Sequence, residues 1–199
     1  MTSPTIPRRF DTLGFSPAYA CEVDPEFPGG GDWGDPQYGF QSDGPASGPF
    51  KSPLGTPLIA RFSPAGAGRW VGFFEAGGRW DVASGVFACP TPERALVVSG
   101  GQAYLVDATT PSRSIVLGLP SVTQVSRVDG TELIVLATAL SLAALDGSGL
   151  AWESEHGYWL SLRVEAAGVD GIRCVGGSFG GDPREFTVDP RTGSRLEDR

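Results

Sequence analysis

Several residue types that carry common chemistries are scarce in this sequence. It holds one His and three Cys. The cysteines, Cys21, Cys89 and Cys174, are widely spaced and form no C-x-x-C pair, so the sequence indicates neither a disulfide framework nor a zinc site. We interpret them as small buried apolar residues.

Long apolar runs and excess positive charge are also missing. No stretch approaches the roughly 20 apolar residues of a membrane-spanning helix, and the N-terminus lacks the apolar core of a secretion signal, so we expect a cytoplasmic protein. The 15 basic and 23 acidic residues give a formal charge of −8. This acidity disfavours binding to phosphate backbones and to anionic lipid, so we expect neither nucleic acid nor membrane as a partner.

Turn-forming residues are abundant instead, with 29 Gly and 17 Pro. From Pro57 onward, short apolar stretches alternate with turn residues, which is typical of strands. The predicted strands are 58–62, 70–74, 86–89, 95–98, 103–106, 114–117, 122–128, 133–137, 140–145, 159–164, 172–175 and 186–188. The sequence therefore predicts an all-β fold of antiparallel sheets, with a repeat domain over residues 57–199.

Residues 1–56 differ from the rest, because 28–57 holds eight Gly and six Pro with little periodicity. We expect an irregular segment there. Its aromatic residues are more numerous than disordered chains usually carry, so we expect it to pack on the β domain. Its acidic residues could supply oxygen ligands for calcium, but their spacing matches no EF-hand, and no metal site is predicted. These acidic residues are Glu22, Asp24, Glu26, Asp32, Asp35 and Asp43.

A pattern of two apolar runs, a turn between them and a closing Asp occurs three times, at 96–107, 135–146 and 172–189. The closing aspartates lie 39 (146 − 107) and 43 (189 − 146) residues apart. A period near 40 residues, in the range of blade repeats, favours repeated small antiparallel sheets. Residues 131–145 are rich in Leu and Ala and could also form a helix capped by Thr131. Their gap-free alignment with 96–107, where two glycines would weaken a helix, favours a hairpin.

The segment 144–152, Ala-Leu-Asp-Gly-Ser-Gly-Leu-Ala-Trp, resembles the blade repeat of pyrroloquinoline-quinone-type and related β-propellers, as does 188–193. Residues 62–66 leading to Trp70 look like a copy without the Asp. The resemblance covers 57–196 and implies a partial or small propeller-like fan, in which the Asp and Gly residues shape turns and Trp152 packs between blades. Together with the internal repeat, it leads us to expect structural roles for Asp107, Asp146, Gly149, Asp189 and Gly193. Because nothing matches the cofactor-binding residues or adjacent cysteines of quinone enzymes, we expect no cofactor.

Propellers usually have four to eight blades of about 40 residues, whereas residues 57–199 provide for about three. A fan that does not close leaves an open sheet edge with unpaired backbone groups. Such an edge must be covered by other parts of the chain or must pair with a partner. The sequence therefore favours a protein partner or self-association through such an edge.

One short stretch combines aromatic and titratable residues most densely, namely Trp152, Glu153, Glu155, His156, Tyr158 and Trp159. Glu153 and Glu155 share one face of an extended strand, as paired acid and base carboxylates can. Contact with a ligand or partner, catalysis, and a purely structural role are all compatible with this pattern. The stretch 176–181, Gly-Gly-Ser-Phe-Gly-Gly, invites comparison with the nucleophile turn of a serine hydrolase or with a phosphate loop, but no helix is indicated after it and no Lys-Ser/Thr follows the glycines.

From these features we expect a non-catalytic protein-binding module whose acidity suits a basic partner surface. An inhibitor or immunity-type protein, or a component of an assembly, would fit this description. The alternatives are a hydrolase centred on Glu153, Glu155 and His156, or a glycan-binding module. A glycan-binding module would need a platform of aromatic rings against which a sugar can pack. Here such a platform would consist of Trp70, Trp80, Trp152, Tyr158 and Trp159.

Overall fold

The computed structural model describes residues 9–41, 44–46, 55–78, 82–119, 121–138, 140–155, 160–177 and 182–196. The chain forms two compact units. The first unit comprises Met1–Trp80 and Ser84–Leu117, and the second comprises Asp81–Ala83 and Gly118–Arg199. Each unit contains two sheets, and the predicted all-β fold with several antiparallel sheets is confirmed.

The described residues of the first unit form ten strands. They are β1 (Phe10–Asp11), β2 (Tyr19–Val23), β3 (Gln37–Gln41), β4 (Gly44–Ala46), β5 (Leu58–Pro64), β6 (Trp70–Phe74), β7 (Gly85–Ala88), β8 (Arg94–Ser99), β9 (Gln102–Asp107) and β10 (Ile115–Leu117). One sheet has the order β1-β7-β8-β9-β10 and the other β2-β5-β6-β3-β4. The pairs β1–β7 and β3–β6 are parallel, and the others are antiparallel.

The core of the first unit is aromatic. Alternate residues of β5 are buried, as expected for a strand with one face on a core. Phe62 stacks on Trp70 with ring centroids 4.5 Å apart, and Phe40 stacks on Phe74 at 4.6 Å. Tyr104 lies beside Phe74 and donates a 2.9 Å hydrogen bond to the Glu75 carbonyl. The hydroxyl is thus paired where burial would otherwise leave it unsatisfied.

The described residues of the second unit form eight strands in two four-stranded meanders, β11-β12-β13-β14 and β15-β16-β17-β18. They are β11 (Val122–Val128), β12 (Leu133–Thr138), β13 (Leu142–Leu145), β14 (Leu150–Glu153), β15 (Leu160–Gly168), β16 (Gly171–Gly177), β17 (Arg184–Val188) and β18 (Arg195–Leu196). Their core is mostly aliphatic and includes Val135, Leu142, Leu162 and Ile172. Within the described part of the chain, no helix is long and apolar enough to span a membrane.

Every segment predicted as a strand contains one. The hairpin predicted over 131–145 is confirmed, since β12 and β13 pair antiparallel from Ile134↔Leu145 to Ala137↔Leu142. The three copies of the repeat are the hairpins β8–β9, β12–β13 and β16–β17.

Residues 1–56 differ from the irregular segment expected, because they contribute β1 to β4. β2 pairs with β5, and β3 pairs with β6, so both belong to a sheet of the first unit. Four sheets are present in the described residues, and one of them joins β2, β3 and β4 to the predicted strands β5 and β6. The division into two compact units falls after Leu117, with Asp81–Ala83 also assigned to the second unit.

Candidate functional site

The predicted site residues that the structure describes lie at one edge of the second unit. Trp152 and Glu153 end β14, and Glu155 follows two residues later. His156, Tyr158 and Trp159 lie outside the described residues. β14 follows the Asp146 turn and pairs with β13 through Ala144↔Trp152 and Ala143↔Glu153.

The aspartates that close the repeat accept hydrogen bonds from the turns that follow them. Asp107 Oδ1 accepts from the Thr110 amide at 2.8 Å, Asp146 Oδ1 from the Ser148 amide at 2.7 Å, and Asp189 Oδ1 from the Arg191 amide at 2.8 Å. A second bond to Asp146 comes from the Gly149 amide at 3.1 Å. These are the local side-chain-to-backbone bonds by which Asp stabilises turns.

Trp152 is anchored to the turn that follows β17. Its Nε1 donates a 2.8 Å hydrogen bond to the Pro190 carbonyl. Gly193, with φ +72°, lies against the indole ring, and a Cβ at this position would collide with the ring. The side chain of Trp152 therefore contributes to the packing between the two sheets of this unit.

Glu153 is oriented by a neighbouring turn. Ser141 Oγ donates a 2.9 Å hydrogen bond to Glu153 Oε1, and Ser141 is itself buried and bonded to Thr138. The pairing of β13 with the chain continues beyond Glu153, because the Ser154 amide donates to the Leu142 carbonyl at 2.8 Å. The chain from Trp152 to Ser154 is thus fixed along β13.

A cleft of about 460 Å³ opens beside these residues within the second unit. Leu142, Leu162 and Phe186 supply apolar surface, and the lining also includes Glu153 and Glu155. Its volume falls in the range of ligand pockets, but polar side chains outnumber apolar ones in its lining, whereas typical ligand pockets are mostly apolar.

One cationic group also borders the cleft. Arg195 lies on β18, and its guanidinium carbon is 5.4 Å from the centre of the Phe186 ring, a cation–π distance. The cleft therefore combines apolar surface with both signs of charge. Such a surface suits contact with an amphipathic group better than with a purely apolar one.

No local sequence pattern indicated the residues that the second sheet of this unit contributes, Leu162, Phe186 and Arg195. They are distant in sequence from Glu153, and strand pairing alone does not bring them together. One sequence signal pointed to Phe186. It follows Tyr104 by 82 residues (186 − 104), which is the spacing that also separates Trp152 from Trp70 (152 − 70).

The aromatic platform considered for glycans is not assembled from the residues described. Trp70 is 3% exposed, and its Nε1 donates to the Ala108 carbonyl at 2.7 Å. It belongs to the core of the first unit and presents no ring face to a sugar. Trp80, Tyr158 and Trp159 lie outside the described residues, and Trp152 is partly buried.

The cysteines are unpaired thiols, buried at Cys89 and Cys174 and partly buried at Cys21. Burial raises the pKa of each thiol to about 12. Neutral thiols are poor nucleophiles and poor metal ligands. Within the described residues, no three His, Cys, Asp or Glu side chains are grouped to hold a metal ion.

The molecule is an all-β protein of antiparallel, blade-like sheets with an amphipathic cleft in its second unit. Comparison with protein-family models, curated proteins and solved structures found no match.

Proposed function

We propose that this protein is a non-catalytic protein-binding module that uses the cleft of its second unit to contact a basic partner. The observation that supports this most directly is the lining of the cleft, in which Glu153 and Glu155 stand beside the apolar surface of Leu142, Leu162 and Phe186. Apolar burial supplies affinity, while the carboxylates select a partner of opposite charge.

The overall charge supports the same proposal. A formal charge of −8 on 199 residues attracts basic surfaces and speeds their association at low ionic strength. An inhibitor or immunity-type protein, or an assembly component, would use such a surface. On this proposal the protein acts in the cytoplasm.

The test begins with recovery of the tagged protein from a lysate of its source organism at low salt and identification of the bound proteins by mass spectrometry. We expect a basic protein in stoichiometric amount, released as salt screens the charges. The absence of any stoichiometric protein would contradict the proposed function.

The contribution of the cleft is then measured with paired variants. Glu153→Gln with Glu155→Gln removes two charges from the cleft, whereas Asp182→Asn with Glu185→Gln removes two exposed charges outside its lining. We expect the first pair to weaken partner binding by about tenfold, or ~1.4 kcal/mol, and the second pair to change it little. Equal losses from both pairs would show a general charge effect and no role for the cleft.

A second candidate function is glycan binding, favoured by the hydroxyl groups of Ser154, Thr192 and Ser194 in the same cleft as Phe186. Hydroxyls and carboxylates beside an aromatic ring are groups that contact sugars. Binding to a panel of glycans, lost in Glu155→Gln and retained in Glu185→Gln, would support it.

The remaining alternative is a hydrolase centred on Glu153, Glu155 and His156. It predicts that His156→Ala abolishes the biological effect of the protein, and an unchanged effect would reject it.

A further inference from the structure

The loop that joins β2 to β3, residues 24–36, packs on one face of a sheet in the first unit. Trp33 in this loop is only 7% exposed. Its ring lies edge-on to Phe73 of β6 at 6.2 Å, and the guanidinium carbon of Arg61 on β5 is 5.3 Å from its centre. Because Phe73 and Arg61 alternate with core residues along their strands, they lie on the face opposite the aromatic core. Trp33 therefore anchors the loop on that outer face.

Both ends of the loop are fixed by hydrogen bonds to the same sheet. The Asp24 amide donates to the Ile59 carbonyl at 2.7 Å, and the Ile59 amide donates to Asp24 Oδ1 at 3.1 Å. At the other end, the Val71 amide donates to the Pro36 carbonyl at 2.9 Å. The loop thus has a defined course although glycine and proline are frequent in it.

The two arginines beside the loop are paired within the protein. Arg61 Nη1 donates a 3.0 Å hydrogen bond to Glu22 Oε2. The side chain of Asp35 is 9% exposed and lies 3.6 Å from Arg61 Nε and 3.4 Å from Arg69 Nε. These pairs hold the loop against β5 and offset the positive charge of this face.

One aromatic ring of the loop is presented to solvent. Phe27 is 62% exposed and packs edge-on against Trp33, with ring centroids 5.3 Å apart. Among the described residues it is the most exposed large apolar side chain and the only aromatic one in that group, which also includes Ile115, Leu140, Leu150, Val169 and Leu196. Single exposed apolar residues are ordinary, but this ring rests on a buried indole. Little side-chain freedom is therefore left for it to lose on binding.

The charge around Phe27 specifies the chemistry of what it contacts. Residues 10–50 contain no Lys or Arg. Five carboxylates on and beside the loop face two guanidinium groups, a local charge of −3 (2 − 5), from Glu22, Asp24, Glu26, Asp32 and Asp35 against Arg61 and Arg69. Fields of this kind act over roughly 8–10 Å at moderate salt. They attract a cationic surface and repel a second copy of this acidic chain.

We propose that Phe27 is a contact site for a basic protein partner, which packs an Arg or Lys side chain against the Phe27 ring. Cations are attracted to aromatic faces, and the surrounding carboxylates draw the same cation to the loop. This proposal rests on the proposed protein-binding function and adds to it a surface in the first unit, separate from the cleft of the second.

A cationic peptide tests the site without the natural partner. The probe is acetyl-Arg-Gly-Arg-Gly-Arg-amide, with acetyl-Gln-Gly-Gln-Gly-Gln-amide as the neutral control. We expect the probe, at millimolar concentration and low salt, to shift the NMR signals of the Phe27 amide and the Trp33 indole N–H. Absence of these shifts, shifts confined to other surfaces, or equal effects of both peptides would overturn the proposal.

Variants of the ring separate it from general charge attraction. Phe27→Ala should weaken probe binding by about fivefold, or ~1 kcal/mol, with little change in Tm because the side chain is exposed. Phe27→Leu keeps an apolar side chain to pack on Trp33 but lacks a ring, so we expect the same loss. Ile115→Ala, which removes a 54% exposed apolar side chain elsewhere in this unit, should bind as the parent does. Unchanged binding by both Phe27 variants would overturn the proposal.

A charge pair tests the role of the loop carboxylates. Glu26→Gln removes the charge next to Phe27, and Glu93→Gln removes an exposed charge of the same unit outside the loop. We expect about twofold weaker probe binding from the first variant and a smaller change from the second. Equal losses would overturn the selection of a basic partner by this loop.

The natural partner distinguishes this inference from the function on which it rests. Recovery of no partner contradicts the proposed function, whereas the peptide titration still decides on Phe27. A partner that binds Phe27→Ala as tightly as the parent protein leaves the function standing and overturns the Phe27 site. A dimer in analytical ultracentrifugation that dissociates in Phe27→Ala would assign the ring to a second copy of the chain and overturn the basic partner.

Discussion

At the scale of single residues, the aspartates of the repeat stabilise turns by hydrogen bonding to backbone amides. Each accepts amide hydrogen bonds from the turn after a hairpin, so the chain can reverse without unpaired donors. The carboxylates are thus occupied by turn formation.

Replacing Asp146 by Ala removes the acceptor for the Ser148 and Gly149 amides. We expect the free energy of unfolding to fall by about 1–2 kcal/mol, the range for loss of a capping side chain. Urea titration measures this change. Asp170→Ala, at an exposed turn residue, removes the same charge and should cost less than about 0.5 kcal/mol. Equal costs would assign the effect to charge alone.

Gly193 is required by two independent features, its φ of +72° and its contact with the Trp152 ring. Gly193→Ala should destabilise the protein by about 2 kcal/mol or more, because both the backbone and the ring must adjust. Gly68 has no atom within 4 Å of an added Cβ, so Gly68→Ala provides the matched control. Comparable thermal unfolding of the two variants would contradict the role given to Gly193.

At the scale of elements, residues 131–145 illustrate a choice that local propensity leaves open. Leu and Ala favour a helix, yet Ile134, Leu136, Leu142 and Leu145 are all nearly fully buried in a hairpin. β12 lies between β11 and β13, so both of its edges are paired, and successive residues along it are buried. Tertiary contacts therefore override a weak helical preference.

This assignment predicts a far-UV circular dichroism spectrum of β type, with no helical double minimum. It also predicts slow hydrogen exchange for the amides of β12, because they are buried and paired within the sheet. Rapid exchange from Ile134 to Ala137 under native conditions would contradict it. The exposed residues Gly66 and Gly68, between β5 and β6, provide an internal reference whose amides are expected to exchange quickly.

Strands β2 and β3 show where sequence patterns fail. Gly and Pro dominate 28–57, and the rules that recognise strands depend on alternation and turn spacing within the segment itself. β3 is specified instead by the edge of β6 and by the ring cluster that receives Phe40. Neither the edge of β6 nor the ring cluster can be inferred from the five residues of β3 alone.

At the scale of the whole molecule, both units bury groups that ionise at alkaline pH. Burial raises the pKa of Cys89 and Cys174 to about 12, and it raises the pKa values of Tyr19 and Tyr104 above their ordinary range. The two phenols also donate hydrogen bonds to backbone carbonyls, which they lose on ionisation.

We therefore expect stability to fall as the pH rises above about 9. Below the ordinary thiol pKa of 9.0 both states are protonated, whereas above it the unfolded chain releases protons that the folded chain retains until about 12. Urea titrations between pH ~7 and ~11 measure this loss. Cys174→Ala should flatten the dependence, and a pH-independent midpoint in the parent protein would contradict the burial of these groups.

The candidate site shows how far the sequence alone reaches. Trp152, Glu153 and Glu155 are neighbours in the chain, so their grouping was predictable from composition and strand periodicity. Leu162, Phe186 and Arg195 come to the same cleft from another sheet, through contacts that no local pattern encodes. The strands within residues 1–56 could not be predicted for the same reason, because they too are specified by contacts with distant parts of the chain.

What the sequence determined by itself is the class of fold, the twelve strand segments and the turn-forming aspartates, because alternation, glycine-rich turns and Asp side chains act over a few residues. Only the tertiary structure decided which strands share a sheet, which edge is covered and where a cleft remains. Those outcomes depend on long-range packing, in which Phe40 closes one unit while β14 remains the last described strand of its sheet in the other.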